Sequence, residues 1–291
     1  MSEPKMTQRR DRKLAIAIPV SVISDIPHLR EKTLEIGLIA RAAAIFRVNE
    51  ILVFSDNAEA SQNRDRNLIV TLLSYAETPQ YLRKRLFKLK PELRYAGILP
   101  PLRTPHHPLE RRARKLQLGE YREGAVVSFT QAGSMVDVGV ERPLPLPHVQ
   151  LSVNRRVTVK ITKTGKHPEL ALAKREEIPS YWGYIVKSSK ASFGHLTKIY
   201  HYDLVIATSK LGTPLAGITD ELAERWKKSG KILVAFGAPA QGLQEIVAKE
   251  NLSLDKVADF TVNTILGQGT ETIRTEEALY ASLALLNTIG N

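Results

Sequence analysis

Apolar residues along this chain gather into strand-length runs alternating with helical spacing towards both ends, and into sparser, turn-bounded runs in the middle. Leu14 to Val20 (LAIAIPV) is nearly unbroken, and Pro19 either ends the run or lies at its edge. Residues 29–47 place Leu34, Leu38, Ala42 and Ile45 at helical spacing, and Glu50 to Phe54 (EILVF) reads as a second strand. Strand, helix, strand in this order is a βαβ unit and predicts a parallel sheet. A further helix is expected over 64–88. Then Pro91, Pro100, Pro101, Pro105 and Pro108 break up a basic stretch, as where a chain crosses to another domain. GAVVSFT (124–130), SMVDVGV (134–140) and RRVTVKIT (155–162) follow, short β-like runs separated by turn residues, the pattern of a small barrel or sandwich. From Tyr181 the first texture returns: strand GYIVKSS, short helix SFGHLTKIY, strand YDLVIATS, and helix TDELAERWKKSG closed by a glycine cap.

The last sixty residues repeat one plan. Ile232 to Phe236 is a strand that breaks into a turn at Gly237, Pro239 and Gly242 before a helix. Ala258 to Val262 is a strand that runs into Leu266-Gly267-Gln268-Gly269-Thr270, and a helix starts near Thr275, where Thr275-Glu276-Glu277 supplies a cap and first-turn acids. Two strand ends that open into glycine-bearing loops make a crevice at the carboxyl edge of a parallel sheet, where open α/β folds bind their ligands. Lys210-Leu211-Gly212, after YDLVIATS, is expected to form a third loop on that edge. A ligand there would be held largely by main chain.

Composition narrows the function. The 291 residues include no cysteine, which excludes disulfides, thiolate catalysis and Cys-based metal sites. His106 and His107, with His148 and His167, have no carboxylates at ligand spacing, so they read as loop residues or phosphate contacts, and no metal site is expected. No Ser-His-Asp arrangement, GxxxxGK loop or GxGxxG fingerprint supports a hydrolase or a nucleotide triphosphatase. No apolar run approaches the ~18 residues of a spanning helix and the start, MSEPKMTQRRDRK, is polar and basic, so a cytoplasmic protein without a membrane partner is expected. Net charge is +12, and Tyr81 to Arg122 holds twelve Lys/Arg against three Glu, whereas Lys231 to Asn291 holds four against seven Asp/Glu. That asymmetry separates a polyanion-facing region, with Arg111, Arg112, Arg114 and Lys115 as candidate phosphate contacts, from a ligand region; a solvated charged face is the alternative.

FGAPAQG followed by NTILGQGTETIRTEEAL resembles the two C-terminal motifs of the SPOUT RNA methyltransferases, and GLIARAAAIFRVNEILVF resembles their first motif. The match is nearest to the archaeal and eukaryotic branch that carries an extra domain inside the catalytic one, and residues 14–54 and 181–290 both fit it. The resemblance implies an α/β fold with a trefoil-knotted parallel sheet, helices on both faces, and an inserted small β-barrel (OB-like) domain. The implied boundaries are 1–92 and 166–291 for the methyltransferase domain and 93–165 for the insert. It implies S-adenosylmethionine as cofactor, RNA as substrate (ribosomal RNA foremost, transfer RNA or a noncatalytic assembly role as alternatives), and a homodimer. The helix from Thr275 to Ile289 offers Leu279, Leu283 and Leu286 either to the core or to such an interface.

The resemblance also assigns residues. Thr208, Gly237, Gly242, Asn263, Ile265, Gly267, Gln268, Gly269 and Thr270 would hold the cofactor. Arg41 falls where the family places an arginine near the target nucleotide, although a surface pairing with Glu35 or Glu31 also suits its spacing. Ribose 2′-O methylating relatives carry asparagine where Glu35 stands here and glutamate where Pro239 stands, which weakens a ribose 2′-O reading, and the resemblance to this branch implies uridine N3 as the methylated atom. An imide N3 must lose its proton. Arg41 or Arg274 would steady the developing anion, Thr272 would position the base, and Glu271 is a candidate proton acceptor, with a solvated carboxylate as the alternative.

Overall fold

A computed structural model describes residues 8–57 and 61–290, so most of the basic start lies outside the described residues. Its contacts define two compact units, one of residues 10–76, 92–102 and 184–290 and the other of residues 8–9, 77–91 and 103–183. The chain begins with β1 (Lys13–Pro19), α1 (Leu29–Ile45), β2 (Glu50–Phe54) and α2 (Asn63–Glu77). It continues through α3 (Gln80–Leu86), β3 (Tyr121–Thr130), β4 (Gly133–Asp137), β5 (Leu144–Pro147), β6 (Arg156–Lys163) and β7 (Glu169–Leu172). It returns with β8 (Ile185–Ser189), α4 (Phe193–Ile199), β9 (Leu204–Pro214), α5 (Leu215–Lys228), β10 (Lys231–Ala235), α6 (Leu243–Ala248), β11 (Phe260–Asn263) and α7 (Thr275–Ile289).

The first unit is a six-stranded parallel sheet in the order β11-β9-β10-β1-β2-β8, with Ile16 of β1 facing Val234 on one side and Ile51 on the other. Central strands covered on both faces must be apolar at every position, which is why Leu14 to Pro19 is an unbroken buried run. Leu14, Ile16 and Ile18 pack with α1, α2, α5 and α7 on one face. Ala15 and Ala17 pack with α4 and α6 on the other.

Several expected elements shift. The helix expected over 29–47 ends at Ile45 because Arg47 takes a left-handed backbone conformation, φ 55°. Its buried side is Ile36, Ile39, Ala40 and Ala43, and Leu34 and Ile45 face outward; a helix apolar on most sides does not specify its face. Gly37 decides it, since a side chain there would meet Pro100 at 2.7 Å. The single helix expected over 64–88 is two, α2 and α3, broken at Thr78-Pro79 where proline lacks the N–H the ladder needs. At the end of α5 the cap is Ser229, whose hydroxyl donates to the Arg225 carbonyl, in place of the expected glycine. Leu279, Leu283 and Leu286 are buried in the core of this unit.

The second unit is a five-stranded antiparallel sheet in the order β5-β4-β3-β6-β7, and its two outer strands lie against each other. Val126, Val136, Leu144, Leu146, Val159 and Ile161 fill it. Three of its strands coincide with the expected β-like runs. The outer two, β5 and β7, are four residues each and carry little pattern; β5 bears prolines, which edge strands tolerate.

The histidine pair is a correction. His106 is fully buried, its Nδ1 3.0 Å from Thr104 Oγ1 and its Nε2 3.2 Å from the Glu77 carboxyl. Burial pushes His107 down to about 3, the charge of His106 adding to it, so His107 is neutral. Arg156 donates to Glu77 at 2.6 and 3.0 Å and to Glu123 at 2.6 Å, and Glu123 also accepts from the Trp182 indole and the Thr158 hydroxyl. These groups serve the interior of the antiparallel unit.

Candidate active site

The carboxyl edges of β9, β10 and β11 bound a cavity of about 470 Å³, within the usual size of a small-ligand site. Three chain segments make its walls: 208–211 from β9, 236–242 after β10, and 263–265 with 268 and 271–273 after β11. Gln244, Glu245 and Ala248 of α6 and Thr275, Ala278 and Ser282, spaced along one face of α7, line the remaining sides.

The expected third loop is an excursion within a strand. Ala207 pairs with Thr261, yet the next β11 residue, Val262, pairs with Thr213, so Thr208 to Gly212 bulge out of the ladder towards the cavity. Gly212 then lies against β11 so closely that a side chain would meet main-chain atoms of Val262 and Asn263 at 2.6 and 2.8 Å. After β10, Ala238 and Gln241 exchange main-chain hydrogen bonds around Pro239, and Gly237 fits tightly beneath them, since a side chain there would meet main-chain atoms of Gln241 and Gly242 at 3.1 Å. Thr275 Oγ1 donates to the Gly237 carbonyl at 3.0 Å and so ties the start of α7 to that turn. The cap of α7 is therefore not Thr275: Arg274 holds that position, and its N–H donates to Glu277 Oε2 at 2.9 Å.

Of the residues expected at the cofactor, Thr208, Gly237, Gly242, Asn263, Ile265 and Gln268 line the cavity, and Gly267, Gly269 and Thr270 lie outside its lining. Gly267 has φ 60°, a left-handed turn that favours glycine, with open space where a side chain would begin. Asn263 spends its side chain on the loops: Nδ2 donates to the Lys210 carbonyl at 2.8 Å and Oδ1 accepts from Ile265 N–H at 3.0 Å. Gln268 Nε2 likewise donates to the carbonyls of Thr270 and Glu271. Both amides fix the shape of the cavity rim.

Thr272 and Glu271 line the cavity; Arg274 and Arg41 do not. Arg41 donates to the carbonyls of Pro101 and Leu102 at 2.9 and 2.7 Å, which anchors 101–102 to α1. The expected crevice loop supplies Lys210 and Leu211 to the lining, but sequence reasoning did not foresee the Arg41 anchor, nor the cavity-lining Gln241 and Ser282, nor the bond between Ser282 and Thr264 at 2.7 Å, which long-range packing alone creates.

Residues 13–286 match the family described as "Putative RNA methyltransferase". The chain belongs to this family. It is 34% identical to the 28S rRNA (uridine-N(3))-methyltransferase of Mus musculus over 97% of this chain and 78% of the mouse protein. It is 32% identical to the Homo sapiens protein of the same description, over 97% and 80%. An uncharacterised protein of Haloarcula marismortui is 33% identical over 94% of this chain and 98% of its own length.

The basic run noted in the sequence falls on the antiparallel unit. Arg111, Arg112, Arg114 and Lys115 are all exposed, around a short 3-10 turn whose Ala113 and Leu116 point into the core. Lys115 pairs with Glu110 at 3.4 Å. Arg122, at the end of the same basic run, is buried, with hydrogen bonds to the carbonyls of Glu110 and Val138 and an ion pair to Glu120. It holds the segment carrying the others in place. Among the described residues no group of His, Asp and Glu could hold a metal ion, and no helix is long and apolar enough to cross a membrane.

Proposed function

We propose that this enzyme transfers a methyl group from S-adenosylmethionine to N3 of a uridine in ribosomal RNA. One observation carries the reading: the cavity at the carboxyl edge of the parallel sheet is built by the segments after β9, β10 and β11, inside the match to an RNA methyltransferase family. The residues present suit the cofactor. Leu211, Ile265 and Ala278 offer apolar wall for a purine, and exposed main chain with Thr208 and Thr272 offers hydrogen bonds to a sugar and an amino acid group. When bound, the cofactor supplies a methyl group already activated on a sulfonium. The chain's part is to align the acceptor with it, exclude water and receive a proton. The descriptions of the mouse and human relatives favour uridine N3.

The finer fold reading belongs with this proposal. The chain is a SPOUT enzyme whose knot would run through the excursion at 208–212 and the segment 264–275, two stretches held together through Asn263. The neighbour relations of β3 to β7, with β3 between β4 and β6 and the outer strands meeting, support an OB-like barrel. A homodimer completes the reading; sedimentation that shows a 32.4 kDa species alone counts against it.

Calorimetry with S-adenosylmethionine and nucleoside mass spectrometry of deproteinised large-subunit RNA test the chemistry together. Heat on titration and a gain of 3-methyluridine are expected, and absence of both removes the proposal. The basic segment is tested separately. Replacing Arg111, Arg112, Arg114 and Lys115 with alanine should flatten the slope of log K against log salt by up to ~3 if all four touch phosphates of single-stranded RNA. Affinity should fall across sequences alike, and cofactor heat should be unchanged. An unchanged slope in filter binding would move the RNA contacts elsewhere.

A further inference from the structure

The basic segment 110–115 keeps its acids apart from its cations. Glu110 Oε1 accepts from the main-chain N–H of Arg111 at 3.0 Å and of Arg112 at 2.9 Å, and Glu141 Oε2 accepts from that of Ala113 at 2.8 Å. These bonds, to Arg112 for Glu110 and to Ala113 for Glu141, are the chief reason that both carboxyls lie below their ordinary range. Lys115 is paired with Glu110, but Arg111, Arg112 and Arg114 are exposed and make no ion pair among the described residues. On a solvated charged face, opposite charges pair side chain to side chain. Here the carboxylates fix the backbone and leave three guanidinium groups free.

Two further segments bring cations to the same end of the antiparallel sheet. The register puts the start of β3 beside the ends of β4 and β6, since Ala125 faces Asp137 and Tyr121 faces Lys160. Exposed Arg85 of α3 lies 3.9 Å from the Asp137 carboxyl, and exposed Arg142, next to Glu141, donates to the Lys166 carbonyl at 2.7 Å. This end offers no ring for a base to stack on. The ring of Tyr121 is covered by Lys160 Nζ, 5.5 Å from its centre, and meets Trp182 edge to face. Phe129 is the one exposed Phe, Tyr or Trp of this unit among the described residues, and at ~3.3 Å per residue along β3 it lies roughly 20 Å from Arg122, at the opposite end of the sheet.

We propose that this end of the antiparallel unit holds the sugar-phosphate backbone of base-paired RNA, so that the substrate is met as a folded helix and not as a free strand. The proposal rests on the reading of the substrate as RNA. Proteins that hold unpaired RNA stack its bases on aromatic side chains, which are missing here. A base-paired helix hides its bases and presents phosphates and 2′-hydroxyls in a fixed array. Arginine forks on a fixed main chain suit such an array, because little freedom is left to lose on binding.

Filter binding by the full chain tests this with two probes, an RNA hairpin with a continuous stem and an unstructured uridine- and cytidine-rich RNA of equal length. For four phosphate contacts the slopes of log K against log salt differ by about 0.8 between duplex and single strand, which is about sixfold in affinity at 0.1 M salt. Wild type should prefer the hairpin by at least that factor. Arg85→Ala combined with Arg142→Ala should flatten the hairpin slope by up to ~2. Glu141→Ala separates a built surface from a merely charged one. Loss of an acid by itself tightens binding to every RNA, yet this change also frees the Ala113 N–H and loosens the turn, so the preference for the hairpin should shrink. Thermal melting like that of wild type shows that the variants are folded. Equal affinity of wild type for the two probes overturns the proposal, as does an undiminished preference in Glu141→Ala or an unchanged slope in the double variant. Binding is read without turnover. A wild type that prefers the hairpin but forms no 3-methyluridine would leave this surface standing and remove the reaction, and one that forms 3-methyluridine but binds the probes alike would do the reverse.

Discussion

Replacing Arg156 with alanine should cost the antiparallel unit about 3–5 kcal/mol at pH 7, the usual penalty for removing one partner of a buried ion pair. The variant leaves two carboxylates, Glu77 and Glu123, inside the fold without the guanidinium that both accept from. Burial alone would raise Glu77, but the His106 hydrogen bond and the charge of Arg156 outweigh it and hold this carboxyl well below its ordinary range. The pH dependence follows from that sign. A depressed folded pKa contributes stability that is present above the unfolded value of 4.5 and is lost as pH falls below it. Wild type should weaken in acid, and the gap between wild type and Arg156→Ala should narrow there, because in the variant Glu77, without the charge of Arg156, takes up a proton more readily and is relieved of its unpaired charge. Urea unfolding at pH 7 and pH 3.5 measures both. Equal stability of the two proteins at pH 7 would show that the network is not what holds this unit.

Gly212→Ala should abolish cofactor heat and lower turnover by about 10²-fold, the cost of a misplaced site. The added carbon would lie 2.6 Å from the Val262 carbonyl carbon and 2.8 Å from Asn263 N, both main chain and unable to swing aside. Relief requires β9 and β11 to part where the excursion at 208–212 begins its return, and Asn263 would lose its hold on Lys210. Gly217→Ala is the control, since nothing lies within 4 Å of it and alanine in a helix is favoured by up to ~1 kcal/mol. If both variants bind S-adenosylmethionine like wild type, the excursion does not shape the donor site.

The parallel sheet is legible in the sequence because its inner strands β1, β2 and β10 are nearly continuous apolar runs. β1, β2 and β10 fall within about a residue of expectation, and α7 spans the expected residues. The position of the cavity follows from the two glycine loops, since a strand end that opens before a helix lies at the carboxyl edge wherever it occurs. What pairing decides could not be seen. Lys210 to Gly212 read as a loop because nothing local shows that β9 resumes beyond it at Thr213. Asn263 looked free to meet a ligand because its partner, the Lys210 carbonyl, belongs to a segment far away in the chain. Glu35 read as an ordinary helix-surface acid, and only the packing of α1 on α7 brings Glu276 against it.

The register of the sheet also sets an order of events during synthesis. β1 leaves the ribosome long before its partner, since Lys13 pairs with Lys231 and Ala17 with Ala235, and on the other edge of β2 the partner is β8. The central strand of the sheet must therefore wait, exposed and apolar, while the whole antiparallel unit is made. That unit closes almost entirely within 77–183 and can fold meanwhile. Distant pairings of this kind are slow to form and leave strand edges open in the interval. The nascent segment from β1 to α2 is thus the part of this chain with most to gain from a chaperone.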